Sequence, residues 1–200
     1  MPREYIPWHN IFERMVYTMK LWYCPHCNDY ADIGKKTIRH KVDCEKKDSG
    51  MIKLDADMAP LIRVLNMHGY KTLYSCSGHA KENYTTSYIM FDKVYKDVRQ
   101  AAIIAGLEYE ECDIYVDSNG TKYYEFRASN KKSPETMMLD NVKLTKTGEV
   151  LCIVRCNDYD VLEYPLYETY DLNSLARHNN ILEKYLIFIE LISFKYYSET

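Results

Sequence analysis

Apolar positions fall at helical spacing in three stretches of the chain. Met58, Leu61, Ile62 and Leu65 form a stripe between Asp57, a natural N-cap, and Gly69, a natural stop, with Pro60 tolerated in the first turn. Val94, Val98, Ala101 and Ala105 form a second, which Asp92 is expected to cap and Gly106 to end. Ile181, Leu182, Tyr185, Leu186, Ile189 and Ile192 form a third, with Asn179 or Asn180 as its cap. Ile187, Phe188, Leu191 and Phe194 lie outside that last stripe, which makes the C-terminal helix a candidate contact for a second copy or a partner.

Between these stretches the period drops towards two. Residues 70–76, 84–91, 107–116, 121–128 and 149–156 read as strands, rich in Tyr, Thr, Val and Ile. Asp117-Ser118-Asn119-Gly120 separates two of them as a hairpin turn. Residues 128–133 read as a connection, and Pro134-Glu135-Thr136 as the opening of a short helix. Helices and strands in this order suit an α+β protein: a mixed or antiparallel sheet with helices packed on one face. Residues 1–22 hold aromatics without a single period and are read as an N-terminal arm; 23–50 form a small finger and linker, 51–130 a central module, and 131–200 a C-terminal extension. No internal repeat or low-complexity tract interrupts this order.

Composition adds little until it is taken locally. A hydrophobic fraction of 46% and a charged fraction of 28% are those of a globular protein. Tyrosine is abundant, at 20 of 200 residues, and suits broad recognition surfaces. The net charge of −3 hides an asymmetry. Residues 35–47 carry six Lys and Arg against Asp43 and Glu45, a local +4. Residues 157–171 carry five acids, four tyrosines and no Lys or Arg. No secretory pattern opens the chain, and the greasiest run, 185–194, is too short to span a bilayer. Seven cysteines, an odd number, point to the reducing cytoplasm rather than to a disulfide framework.

Three of those cysteines and one histidine have metal-ligand spacing. Cys24 and Cys27 are separated by two residues, His40 follows twelve residues after Cys27, and Cys44 follows three residues after His40. Zinc takes four tetrahedral N and S ligands, and two thiolates from one knuckle with a His/Cys pair a dozen residues on can supply them. The second spacing predicts one helical turn between His40 and Cys44. Four protein ligands leave no open position, so the expected Zn2+ is structural. The basic residues around it invite a nucleic-acid partner, although metal-stapled fingers also serve as protein contacts.

A second candidate site is the bend Ser75-Cys76-Ser77-Gly78-His79, where a strand breaks into small polar residues. Amides at a glycine turn with a neighbouring imidazole suit a small anion or a nucleic-acid phosphate. A tight turn whose serines satisfy their own backbone is the alternative reading. Cys76 is open to three roles: a nucleophile paired with His79, a metal ligand, or a core thiol.

Gly69-Tyr70-Lys71-Thr72, Ser75-Cys76-Ser77-Gly78-His79 and Tyr88-Ile89-Met90-Phe91 resemble small uncharacterised proteins of bacteria and their phages with a Cys-Ser-Gly-His loop. More distantly, residues 57–116 resemble the tRNA wybutosine-synthesising methyltransferase family, whose signature is Ser-Ser-Cys-Ser-Gly-Arg. Ser75, Cys76, Ser77 and Gly78 match that signature, while Tyr74 and His79 replace its first serine and its arginine. Residues 94–107 are similar to its later Ala-rich helix and glycine step, but Cys112-Asp113 stands where Ser-Gly usually follows. The resemblance implies S-adenosylmethionine as cofactor and a tRNA guanosine as substrate. Three functions therefore compete: a zinc-containing module binding an anion through residues 75–79, an RNA methyltransferase, and a phage-type inhibitor presenting residues 157–171 to a host nucleic-acid enzyme.

Overall fold

The computed structural model describes residues 20–32, 34–44, 50–77, 87–127, 133–156 and 172–198, with side chains of the last helix described for 180–194. The expected N-terminal arm up to residue 19, Gly78 and His79, and the acidic stretch 157–171 lie outside these residues. Within them the chain is α+β, with two antiparallel sheets and three helices.

The smaller sheet has the order β2-β1-β3, with β1 (Lys20–Cys24), β2 (Asp29–Tyr30) and β3 (Ile52–Asp55). The sequence pattern missed β3, which was placed in the central module without an element: four residues with Lys53 and Asp55 among them carry too little alternation. Register places Leu21 opposite Leu54, and both are buried with Tyr23 against the first helix.

That helix, α1 (Met58–Met67), buries Met58, Ala59, Leu61, Ile62 and Leu65, the expected stripe. His68 caps it and Gly69 follows at φ +82°, a left-handed conformation that favours glycine. Asp57 precedes the helix but makes no side-chain cap hydrogen bond. The second helix, α2 (Lys96–Ile104), starts later than its expected Asp92 cap, with Tyr95 at the N-cap. Asp92 is occupied elsewhere: its carboxylate accepts the Tyr95 hydroxyl at 2.9 Å, and its amide donates to the Lys71 carbonyl at 3.1 Å. Val94 is consequently exposed, whereas Val98, Ala101, Ala102 and Ala105 are buried.

The larger sheet runs β4 (Thr72–Cys76), β5 (Ser87–Phe91), β9 (Val142–Cys156), β6 (Glu108–Val116) and β7 (Lys122–Phe126), with β8 (Thr136–Leu139) also paired to β9. Every pairing is antiparallel. The expected helix at Pro134-Glu135-Thr136 is instead the approach to β8. Asp140 and Asn141, at φ +47° and +67°, close a two-residue hairpin from β8 to β9. Strand β9 is longer than residues 149–156; Gly148, at φ +83°, sits at a register shift that hides its first half from a period-two reading.

The face of this sheet carrying Ile89, Phe91, Cys152, Val154 and Cys156 packs under all three helices, forming the main core. The last helix, α3 (Leu172–Ser198), begins well before Asn179 and Asn180, which lie inside it. Its buried stripe is Ile181, Tyr185, Phe188, Ile189 and Ile192; Phe188 faces the core and Leu186 faces solvent, the reverse of the sequence reading. The opposite sheet face holds a second cluster of Met90, Cys112, Ile114, Leu151 and Ile153. Above it the hydroxyls of Tyr74 on β4 and Tyr124 on β7 interact, although these strands are the two ends of the five-strand path. A flat sheet would hold those backbones roughly 19 Å apart, more than two tyrosines can bridge. The sheet therefore curls around the second cluster.

Candidate metal centre

Cys24 ends β1, and the chain turns at once: the Asn28 amide donates to the Cys24 carbonyl at 2.8 Å, with Asn28 in the left-handed region at φ +53°. This knuckle aims the Cys24 and Cys27 thiols at the same point. The chain then crosses an irregular loop and returns with His40 and Cys44. No helix carries this second pair, contrary to the spacing argument; the Cys44 amide donates to the Lys41 carbonyl at 3.0 Å in a turn. A turn brings His40 and Cys44 to the same side as well as a helix would.

The four ligand atoms all lie within 4.8 Å of one another. The Cys24 and Cys44 sulfurs are 3.8 Å apart, and His40 Nδ1 is 3.4 Å from both Cys27 Sγ and Cys44 Sγ. Zinc–sulfur and zinc–nitrogen bonds of about 2.3 and about 2.0 Å give a tetrahedron with S–S edges of roughly 3.8 Å and S–N edges of roughly 3.5 Å. The cluster could hold a zinc ion in that geometry. Nδ1, not Nε2, is the histidine atom turned inward.

The surroundings suit thiolates bound to a cation. All three cysteines are buried, and all are free of disulfides. Burial pushes the Cys27 thiol up to about 11; the Lys41 amide, donating to its sulfur at 3.3 Å, opposes this, and neighbouring Cys44 and Cys24 add to it. Met51 completes a small apolar shell with partly buried Trp22 and Ile38.

A chain of amide and hydroxyl contacts joins the knuckle to the main domain, and the sequence reading passed over Tyr23, Asn28 and Asn66 in it. Tyr23 donates its hydroxyl to Asn28 Oδ1, while Asn28 Nδ2 donates to the Arg63 carbonyl of α1 at 2.9 Å. Asn66 on α1 donates to the Tyr23 hydroxyl at 3.2 Å and to Thr72 Oγ1 at 3.1 Å, and accepts the Thr72 amide at 3.2 Å. Asn28 lies directly after the Cys27 ligand, so its left-handed backbone is the signal that a closer reading of the knuckle would seek.

The second candidate site is described only over Ser75, Cys76 and Ser77. Ser77 is buried, and its amide donates to Asp55 Oδ2 at 2.8 Å. Asp55 also pairs with Lys20, its partner across β1 and β3, and is itself buried. A carboxylate thus occupies the Ser77 amide, the described amide of the bend that lies beyond the end of β4. Cys76 is partly exposed on the same strand face as its register partner Tyr88, whose hydroxyl is pushed up by burial, then by Cys76 and Asp55. Cys152 and Cys156 face the main core, as expected of core thiols. No described helix is long and apolar enough to cross a membrane. Comparisons with family models, curated proteins and solved structures find no match.

Proposed function

We propose that the chain is a zinc-containing binding protein in which one Zn2+ is held by Cys24, Cys27, His40 and Cys44 and acts structurally. The observation that carries this reading is the close approach of the four ligand atoms, at edges that fit a zinc tetrahedron. One sulfur atom and a ring nitrogen from a turn further along the chain meet the two knuckle thiols, with three of the four residues buried. A fully protein-ligated ion has no site for water or substrate, so it shapes the backbone around it instead of activating a reactant. What it shapes is the small sheet and the basic loop of residues 34–41.

Ser77, where the described part of the bend ends, enters this reading as an anchor. Its amide and the Lys20 ammonium share the Asp55 carboxylate, which ties β1 and β3 to the end of β4. That carboxylate takes the Ser77 amide, while Gly78 and His79 of the candidate anion site lie outside the described residues.

Metal analysis of the full chain purified without added metal tests the proposal. One equivalent of zinc per chain is expected. Replacement by Co2+ should give thiolate-to-metal absorption in the near ultraviolet, and Cys44→Ser should weaken that band and lower metal affinity. A metal-free protein whose melting is unmoved by a chelator or by added zinc would overturn it.

A further inference from the structure

The loop that closes the metal centre is densely cationic, and its charges are not spent on neighbours. Around this part of the molecule Lys20 pairs with Asp55, Lys35 with Asp32 at 2.7 Å, and Arg63 with Asp29 at 3.5 Å. Lys36, Arg39, Lys41 and Lys53 have no carboxylate partner among the described residues, and all four are exposed. The backbones of Lys41 and Lys53 are nevertheless held, Lys53 by pairing with Trp22 across β1 and β3. Arg39 and Lys41 flank the His40 ligand, and the Lys41 amide bonds to Cys27 Sγ. Lys53 stands 5.0 Å over the Trp22 ring, which packs against the cysteine cluster. Asp43 is the opposing acid on the described part of the loop. Four cations less one acid leave +3, and a zinc ion with three thiolates would take back one charge.

We propose that Lys36, Arg39, Lys41 and Lys53 form a binding surface for the phosphodiester backbone of nucleic acid. The inference rests on the zinc reading for the shape of the loop. A protein partner would need an apolar centre to the contact, with aromatic or large aliphatic anchors. Among described residues 34–44 and 51–54, which carry the four cations, Val42 and Ile52 are the exposed large apolar side chains. Cations dispersed over a loop with isolated aliphatic side chains and no exposed aromatic anchor suit a repeating chain of phosphates, each contact releasing a counterion. The metal removes much of the entropy that a free loop of this length would lose on binding. Phosphate contacts carry no base information, so the surface holds nucleic acid without choosing its sequence.

Fluorescence anisotropy of the full chain with labelled single-stranded RNA, single-stranded DNA and duplex DNA tests this directly. Binding to at least one of these is expected at about 50 mM salt, weakening roughly 50-fold (single strand) to 150-fold (duplex) by about 200 mM if all four cations meet phosphates. A variant combining Lys36→Glu, Arg39→Glu, Lys41→Glu and Lys53→Glu should lose at least tenfold in affinity while keeping its zinc content and cooperative melting. If that variant loses metal, the milder Lys36→Gln with Arg39→Gln pair serves, with a loss of severalfold and a shallower salt slope expected. No binding at low salt, unchanged binding by a folded variant, or equal affinity for a polyglutamate peptide would overturn the proposal. Metal content, measured on the same samples, reports separately on the zinc reading.

Discussion

Asn66 bonds to three elements at once: to the Ile62 carbonyl one turn back at 2.9 Å, to Tyr23 of β1, and to both the amide and hydroxyl of Thr72. An alanine there would leave the Thr72 amide and the Tyr23 hydroxyl without this partner in a part-buried setting, which costs about 1–3 kcal/mol. Asn66→Ala should therefore lower the urea midpoint without changing the slope of the transition, and Asn66→Asp, which keeps an acceptor for the Thr72 amide, should recover part of the loss. Equal stability of Asn66→Ala and wild type would show that the link between knuckle and helix is incidental. Residues of this kind escape a sequence reading because a polar side chain gives no period. Cys24, Cys27, His40 and Cys44 were legible because their spacing is itself the chemistry, whereas the acceptor that meets the Ser77 amide is supplied by a residue more than twenty positions away.

At the level of elements, periodicity located α1, α2 and β4 to β7 and misjudged the details that tertiary packing decides. In α3, Leu186 and Phe188 are both apolar, and the pattern alone assigns them the wrong way round. The described helix buries Phe188 against β9 and its neighbours in the main core, while Leu186 is 58% exposed. Truncating a buried phenylalanine costs about 3–5 kcal/mol, whereas an exposed leucine is worth about half a kcal/mol or less. Phe188→Ala should accordingly lower the melting temperature by many degrees and Leu186→Ala by hardly any; the opposite order in a thermal scan would mean that α3 is rotated on the sheet. The exposed Leu186, Ile187 and Phe194 keep the expectation of a contact with a second copy open to a sedimentation measurement. β3 and β8 were invisible for a different reason. Each is four residues long, and each owes its conformation to a neighbouring strand: β3 to the register Leu21–Leu54, β8 to a left-handed Asp140-Asn141 turn that puts Leu139 opposite Val142.

Over the whole molecule, two ion clusters hold the ends of the fold. Asp55 joins the smaller sheet to the end of β4, and Asp113 on β6 lies beneath the approach to β8. Asp113 is fully buried; its carboxylate takes the Arg127 guanidinium through two nitrogens at 2.9 and 3.1 Å and the Lys146 ammonium at 3.1 Å. Burial on its own would raise the Asp113 carboxyl, but hydrogen bonds from Arg127, Ser133 and Lys146 outweigh it and bring it to about 2. A carboxyl held below its unfolded value of about 4 stabilises the folded state fully above that value, and the contribution fades as pH falls towards 2. The difference amounts to about 2 kcal/mol. Acid also strips metal from thiolates, so wild-type unfolding alone cannot isolate the effect. Asp113→Asn should be the less stable protein at pH 7, where it leaves Arg127 and Lys146 facing a neutral amide, and its deficit should shrink by about 2 kcal/mol between pH 5 and pH 2. Any metal that the two proteins hold is lost over the same range, so the narrowing belongs to Asp113. A deficit that stays constant with pH would mean that Asp113 is protonated in the folded protein and that Arg127 is held by Glu111, 2.9 Å away, instead.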